Sequence, residues 1–238
     1  MVSIKANTQP KLKIVIPTLN EASNLPILLA DISECLDTAE VTIIDGGSSD
    51  KTASIASLLG CKVEVLNEPN RGAQMHRGAL ISKADWILFL HADSRLSKHW
   101  SDKIFKLIKI KSSSQYAWFL NFKVNKKGIW FRILEFCVFI RSNLLKRPYG
   151  DQGLLISKKL YFDLGGFKEI PIMEDLDIIL RISKLKKLKA LNLDIQTSSR
   201  RWEKGNIFFN AIKSAVLRYR WSQGETPKEI FKSYYSKK

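Results

Sequence analysis

Four short apolar runs in the first 95 residues, each followed by polar or glycine-bearing residues, constrain the fold of this chain more than any other feature. They are Lys13–Pro17 (KIVIP), Val41–Asp45 (VTIID), Lys62–Leu66 (KVEVL) and Asp85–Asp93 (DWILFLHAD). Three of them are continuous rather than alternating, which is how a strand reads when both faces of its sheet are covered. Between them the period changes. Leu25, Leu28, Leu29, Ile32 and Leu36 recur at helical spacing and form one stripe, with Asn24 placed as its N-cap. Asp50 is placed to cap a second helix through Ile55 and Leu58 that stops at Gly60, and a third helix spans Ala73 to Ser82. Strand–helix–strand repetition of this kind predicts an α/β fold: a mostly parallel central sheet flanked by helices.

The second half is less regular. The pattern predicts a helix from Trp100 to Ile108, a polar loop over Lys109–Ser114, a strand over Tyr116–Val124 and an aromatic helix from Gly128 to Leu145. A strand at Gly153–Ser157, a loop at Gly165–Gly166, a helix from Asp175 to Lys186 and a basic helical C-terminus from Asn206 follow. Neither a repeat nor a low-complexity linker interrupts the chain. Residues 1–238 therefore read as a single domain, with 12–95 and 96–225 as its two halves.

Composition narrows the function classes. Hydrophobic residues at 45% and charged residues at 26% are globular proportions and exclude a disordered chain. Lys and Arg outnumber Asp and Glu by 39 to 23, a surplus of +16 that attracts phosphorylated substrates, anionic lipid or other polyanions without choosing among them. No helix-turn-helix, zinc-finger or RNP signature is present, so nucleic acid is not the expected partner. Cys35, Cys61 and Cys137 are odd in number and scattered, which argues for reduced thiols and a cytoplasmic setting. The N-terminus shows no secretory h-region, and no run approaches the roughly 20 apolar residues of a spanning helix. The nearest, Ile129 to Leu145, is interrupted by Arg132, Glu135 and Arg141. Its Trp130, Phe131, Phe136 and Phe139 suit either a helix packed across the sheet or a lip resting peripherally on the inner face of a membrane.

In an open parallel sheet, ligands bind beyond the carboxyl ends of the strands. All four predicted strand ends carry chemistry there: Pro17-Thr18-Leu19-Asn20-Glu21, Asp45-Gly46-Gly47-Ser48-Ser49-Asp50, Asn70-Arg71-Gly72-Ala73-Gln74 and His91-Ala92-Asp93. Glu21 and Asp45 offer acceptors to a base or ribose. Gly46 and Gly47 allow close backbone approach. Arg71-Gly72 ahead of a helix offers a guanidinium and free N–H groups to a phosphate. Asp93 is a hard oxygen ligand for Mg²⁺ or Mn²⁺. Taken singly, each also has a plainer reading: a tight turn at Asp45, a helix cap at Asp50, a packed core histidine at His91.

Taken together, these segments resemble a family 2 glycosyltransferase of the GT-A fold. The likeness extends to Gly150-Asp151-Gln152-Gly153, Leu164-Gly165-Gly166-Phe167, Met173-Glu174-Asp175 and Arg200-Arg201-Trp202, and spans roughly residues 12 to 225. The set HAD, GDQG, MED and SRRW is similar to that of a subgroup of short, single-domain bacterial members with unassigned substrates. The resemblance implies a UDP- or GDP-sugar donor lined by Pro17, Thr18, Asn20, Glu21, Asp45, Gly46, Asp50, Arg71, Gln74, Arg77 and Ala92, with Arg201 and Trp202 meeting the diphosphate or sugar. It implies Mn²⁺ or Mg²⁺ on Asp93, a catalytic base at Asp175 with Glu174 beside it, and an acceptor side at Gly150, Asp151, Gln152 and Gly166. Transfer to an acceptor hydroxyl, on a lipid-linked molecule in one version, would invert the anomeric carbon. Two positions depart from the family pattern. His91-Ala92-Asp93 lacks the first carboxylate of the DxD motif, and His76 stands where asparagine is commoner. A sugar-phosphate nucleotidyltransferase on a related sheet would need a glycine-rich, lysine-bearing loop after the first strand, and Thr18-Leu19-Asn20-Glu21 lacks it. A non-enzymatic polyanion-binding protein is the other alternative.

Overall fold

The first apolar run becomes the middle of the sheet. β1 (Leu12–Thr18) is buried at every position and pairs in parallel with β2 (Ala39–Asp45) on one side and β4 (Trp86–Phe89) on the other. β3 (Lys62–Val65) adds to β2, again in parallel. Past β4 the directions mix. β7 (Leu154–Ser157) is antiparallel to β4, β6 (Ala117–Val124) is antiparallel to β7, β8 (Leu188–Thr197) runs parallel to β6, and β5 (Ser94–Leu96) closes the edge antiparallel to β8. The eight-stranded order is β3-β2-β1-β4-β7-β6-β8-β5. This computed structural model describes residues 11–197 and 207–235, with side chains of the C-terminal helix described from Ile212.

Both faces are covered, which is why the strand sequences are continuous apolar runs. On one face Leu25, Leu28 and Ile32 of α1 (Leu25–Ile32) and Trp100 and Ile104 of α4 (Trp100–Ile108) pack on Leu12, Ile14 and Ile16. On the other, Met75 and Ala79 of α3 (Arg71–Leu80), Tyr161 of α6 (Lys158–Asp163) and Ile178, Ile179 and Ile182 of α7 (Glu174–Lys184) pack on Val15, Ile44 and Phe89. α2 (Thr52–Leu58) lies between β2 and β3 in the chain. α5 (Ile129–Asn143) uses Phe131 and Val138 to cover Phe122 and Val124 at the far end of β6. α8 (Ile207–Ser222) and α9 (Pro227–Tyr235) reach α7 through Leu217, Ile230 and Leu176.

The structure amends several local expectations. Asn24 occupies the N-cap of α1, but its side chain bonds Glu21 Oε2 (2.5 Å) rather than a helical N–H. Leu36 lies past the end of α1 and is exposed, so it leaves the apolar stripe. α3 starts two residues earlier than its apolar pattern, because Asn70 caps it by accepting the Ala73 N–H at 2.9 Å. In the segment Lys109–Ser114, expected as a loop, a 3₁₀ turn runs over Lys111–Gln115. Neither β5 nor β8 was apparent from periodicity. Among the described residues no helix is long and apolar enough to cross a membrane.

Candidate active site

Because β1 to β4 are parallel, the segments that follow them emerge at one edge, and the first two are laced together. Asp45 ends β2 buried, and accepts from Thr18 Oγ1 (2.7 Å), Ser48 Oγ (2.6 Å), Ser48 N–H (2.7 Å) and Gly47 N–H (3.1 Å). Asn20, in the left-handed region at φ 55°, takes the N–H groups of Ser49 (2.9 Å) and Asp50 (3.3 Å) on its Oδ1. Asp50 accepts from Ala22 N–H at 3.2 Å and Thr52 N–H at 2.9 Å, so it fixes the entry to α2 and ties that entry to the β1 loop. The Glu21 N–H donates to Thr52 Oγ1 at 2.8 Å. Gln74, buried on α3, donates Nε2 to the carbonyls of Thr18 (2.9 Å) and Ile44 (2.7 Å), bolting the ends of β1 and β2 at a fixed spacing. Pro17 and Gly46 lie within this buried edge; a Cβ on Gly46 would sit 3.1 Å from the Pro69 backbone.

The N-terminus of α3 joins this edge to the second half of the chain. A Cβ on Gly72 would lie 2.1 Å from the Lys168 carbonyl, so only glycine allows α3 to meet the Gly165–Lys168 loop. Beside it Arg71 forms an ion pair through Nε with the buried carboxylate of Glu174. Glu174 and Asp175 open α7 after Met173, a non-glycine residue held at φ 69°. Strained backbone of this kind concentrates at functional sites. Asp175 accepts the Gly150 N–H at 3.0 Å and the Leu176 N–H at 2.8 Å. Burial alone would raise its pKa. The Arg71 guanidinium, the Gly150 and Leu176 N–H groups and nearby His91 outweigh that effect and hold the carboxyl below the ordinary aspartate value. Burial pushes Glu174 the other way, against the pull of Arg71 and with the repulsion of Asp175.

A small cleft lined by Met75, Phe89, His91, Tyr149, Gly150 and Asp175 connects this carboxylate to the end of β4. His91 borders that cleft. It is half-buried, and a Cβ on Gly150 would lie 2.8 Å from its Nε2 and 3.3 Å from Asp175 Oδ2. Two residues on, past buried Ala92, half-buried Asp93 sits in the turn between β4 and β5. Among the described residues no three His, Cys, Asp or Glu side chains gather as a metal cage. A cation at Asp93 would have to take its other ligands from substrate phosphates and water, the usual habit of Mg²⁺.

The other expected site residues make contacts within the protein. Arg77 turns to β3 and pairs with Glu64 (2.5 Å). Gln152 is buried; it accepts from Ser142 Oγ (2.7 Å) and donates to the Leu120 carbonyl (3.0 Å), tying α5 to β6. Asp151 is half-buried within the same Gly150–Gln152 turn. Gly166 (φ 63°) packs where a Cβ would strike His76 and Tyr161. His76 itself bonds Tyr161 Oη at 3.0 Å. Arg201 and Trp202 lie outside the described residues. The Arg71–Glu174 link and the Gly72 contact were not apparent from sequence, since both pair segments about a hundred residues apart.

Both the sequence and the fold match known proteins. The model "Glycosyl transferase family 2" matches residues 13–167. The chain belongs to that family. A PGL/p-HBAD biosynthesis glycosyltransferase of Mycobacterium bovis is 38% identical over 95 residues, a stretch that is 37% of each chain. This chain therefore aligns with well under half of that relative. Among solved structures, residues 1–349 of S. aureus TarS in complex with UDP superpose with a TM-score of 0.64 at 16% identity, over 79% of this chain and 60% of that one. The mannosyltransferase PcManGT from Pyrobaculum calidifontis, in complex with GDP-Man and Mn²⁺, gives 0.62 at 16% over 93% and 67%. At such identities the likeness concerns the fold, which this family 2 chain shares with GT-A enzymes.

Proposed function

We propose that the chain transfers a sugar from a UDP- or GDP-sugar to an acceptor hydroxyl, with Asp175 as the base and inversion at the anomeric carbon. The observation that carries this reading is the placement of Asp175: fixed by two backbone N–H groups and facing the cleft that leads to His91 and the Asp93 turn. The carboxylate takes the acceptor O–H proton as the new O–C bond forms; the bond from the anomeric carbon to the nucleoside diphosphate breaks, and the diphosphate leaves. A single displacement of this kind inverts configuration. Mn²⁺ or Mg²⁺ on Asp93 would supply positive charge to the leaving diphosphate. Pro17, Thr18, Asn20, Glu21, Asp45 and Asp50 form the donor side, and the Gly150–Gln152 turn forms the acceptor side. The donor class is supported by the UDP and GDP-Man complexes of the fold neighbours.

The acceptor is read as lipid-linked, with the protein resting peripherally on a membrane. α5 supports this. Its outward face presents Ile129, Trp130, Ile133, Phe136, Cys137 and Phe139 to solvent, with Trp130 54% and Phe136 62% exposed, while Phe131 and Val138 are buried. A helix apolar on all sides is normally covered on all sides. Exposed Lys126, Lys127, Lys146 and Arg147 flank it and suit anionic headgroups.

Thermal melting with nucleotide tests the central reading. UDP or GDP raises Tm only with Mn²⁺ or Mg²⁺ present, and Asp93→Ala abolishes the shift. A full shift in Asp93→Ala would remove the metal site from this account.

A further inference from the structure

The far end of β6 has lost a neighbour. β7 pairs with β6 only at Trp118, and the pairing with β8 shifts register between Phe119 and Asn121. Beside the edge left open lies a cavity of about 320 Å³, lined by β6, β8, α5 and the Gly150–Gln152 turn. That volume falls within the range of small-molecule sites, about 300–1,000 Å³. Side chains cap two backbone groups on this edge. Gln152 Nε2 donates to the Leu120 carbonyl at 3.0 Å, and buried Glu135 accepts the Val124 N–H at 2.8 Å. The Asn125 N–H goes the other way, to the Thr197 carbonyl of β8 at 3.4 Å. Backbone groups alternate sides along a paired strand, so the N–H and C=O of buried Phe122 point to the open edge between the two caps. Among the described residues nothing meets them there. Buried backbone groups without partners are uncommon.

The charges around the cavity balance. Lys123 and Arg132 both turn to Glu135, at 3.7 and 2.6 Å, and Asp194 on β8 adds a second carboxylate. Two cations against two carboxylates leave little field to gather an ion. Asn121 and Asp194 are register partners across the β6–β8 ladder, and among the described residues neither side chain has a hydrogen-bond or ion-pair partner. Exposed Phe136 and Phe139 border the same space.

We propose that this cavity binds a neutral sugar ring. A pyranose has an apolar C–H face and a rim of hydroxyls that both donate and accept. The cavity offers the complement: aromatic rings, amide and carboxylate side chains, and a strand edge. An ionic ligand finds no surplus charge here, and an apolar one would bury Asn121, Asp194 and the Phe122 backbone groups without partners. The Gly150–Gln152 turn gives Gln152 to this cavity and Gly150 to the Asp175 cleft, so the two spaces share one wall. On the glycosyl-transfer reading, on which this one step rests, the ring is a non-reacting sugar of the acceptor.

The test is saturation-transfer NMR on the full chain, with and without UDP and Mn²⁺. The probes are the methyl glycosides of glucose, galactose, mannose and N-acetylglucosamine, with glucuronate and glucose 6-phosphate as charged controls. At least one methyl glycoside binds, binds equally well with UDP and Mn²⁺ present, and binds more tightly than either charged sugar. Asn121→Ala and Asp194→Ala each weaken it about two- to tenfold, the range that one hydrogen bond is worth, while the UDP–Mn²⁺ melting shift stays unchanged. Circular dichroism checks the fold of both variants, and Asp194, exposed on β8, reports independently of Asn121. A lipid-carried sugar and a soluble one share this ring chemistry. Tighter binding of the octyl glycoside, below its micelle concentration, identifies the first, and equal binding identifies the second. No binding of any methyl glycoside, stronger binding of the charged sugars, displacement by UDP, or unchanged affinity in both alanine variants overturns the proposal. Loss of the UDP–Mn²⁺ shift in the unmodified protein would instead count against glycosyl transfer and leave sugar binding in the cavity to be judged by itself.

Discussion

The proposed donor and acceptor sides of the site are built by opposite means. On the donor side, the loops after β1 and β2 bond to each other: Asn20 to the Ser49 and Asp50 N–H groups, Asp50 to Ala22, Glu21 to Thr52, and Gln74 to both strand ends. On the acceptor side, the Tyr149–Gly153, Gly165–Lys168 and Met173–Asp175 segments are shaped by positive φ at Gly153, Gly166 and Met173 and braced by guanidiniums. Arg181 donates Nη2 to the Gly166 carbonyl at 2.6 Å, and Arg71 holds Glu174. Next to them α5 leaves aromatic rings in solvent. A pre-ordered network lowers the ordering cost of binding, which suits a ligand portion that does not vary. A side held by long cations and by backbone conformation leaves its open surface to recognise the portion that does.

That contrast can be broken at three places. The largest effect belongs to the acceptor side: Asp175→Asn should lower kcat by about 10²- to 10⁴-fold, the usual range for a positioned base, and leave the UDP melting shift intact. The pH profile has a definite sign. Because the folded-state pKa of Asp175 is depressed, its stabilising contribution is complete above the ordinary aspartate value and is lost as pH falls through the lower one. Transfer by the unmodified protein should accordingly hold level through neutral pH and fall only in acid. A rate that declines on passing from pH 8 to pH 6 would point to another base.

The second effect is on the donor side. Gln74→Ala removes two buried hydrogen bonds, to the Thr18 and Ile44 carbonyls, of which Thr18 keeps only the Gly46 N–H, at a cost of about 1–3 kcal/mol in total. Urea denaturation should register it, together with weaker UDP binding; a full stability loss with unchanged UDP affinity would show that the bolt shapes the fold and not the site. The smallest effect concerns α5. Trp130→Ser with Phe136→Ser should change stability by no more than about 0.5 kcal/mol per site, as for exposed positions, while abolishing binding to phosphatidylglycerol vesicles at low salt. A drop of several degrees in Tm would mean that these rings are covered in solution, and sedimentation would then reveal a second copy.

Much of the fold was legible because β1, β2 and β4 are covered on both faces and so spell themselves as apolar runs. The strands that escaped notice lack that signature. β5 has three residues, too few for any period, and β8 (LKALNLDIQT) follows directly on a lysine-rich stretch and alternates only loosely, with a break in its pairing to β6 between Phe119 and Asn121. The site divides in the same way. Strand-end residues could be placed at one edge from direction alone. The Arg71–Glu174 pair, the Gly72 contact with Lys168 and the position of His91 depend on how α3 and α7 approach across the sheet, and local spacing carries no record of that.

Asp45 bears on how tightly a nucleotide could be held. Two carboxylate oxygens offer about four lone-pair directions, and four donors from the protein already occupy them. A ribose hydroxyl or a base N–H arriving there must evict Thr18, Ser48 or Gly47 before it gains anything, so recognition at this carboxylate is a swap of partners. A swap yields less free energy than a fresh bond. Strong retention of a spent nucleotide is therefore not to be sought from Asp45.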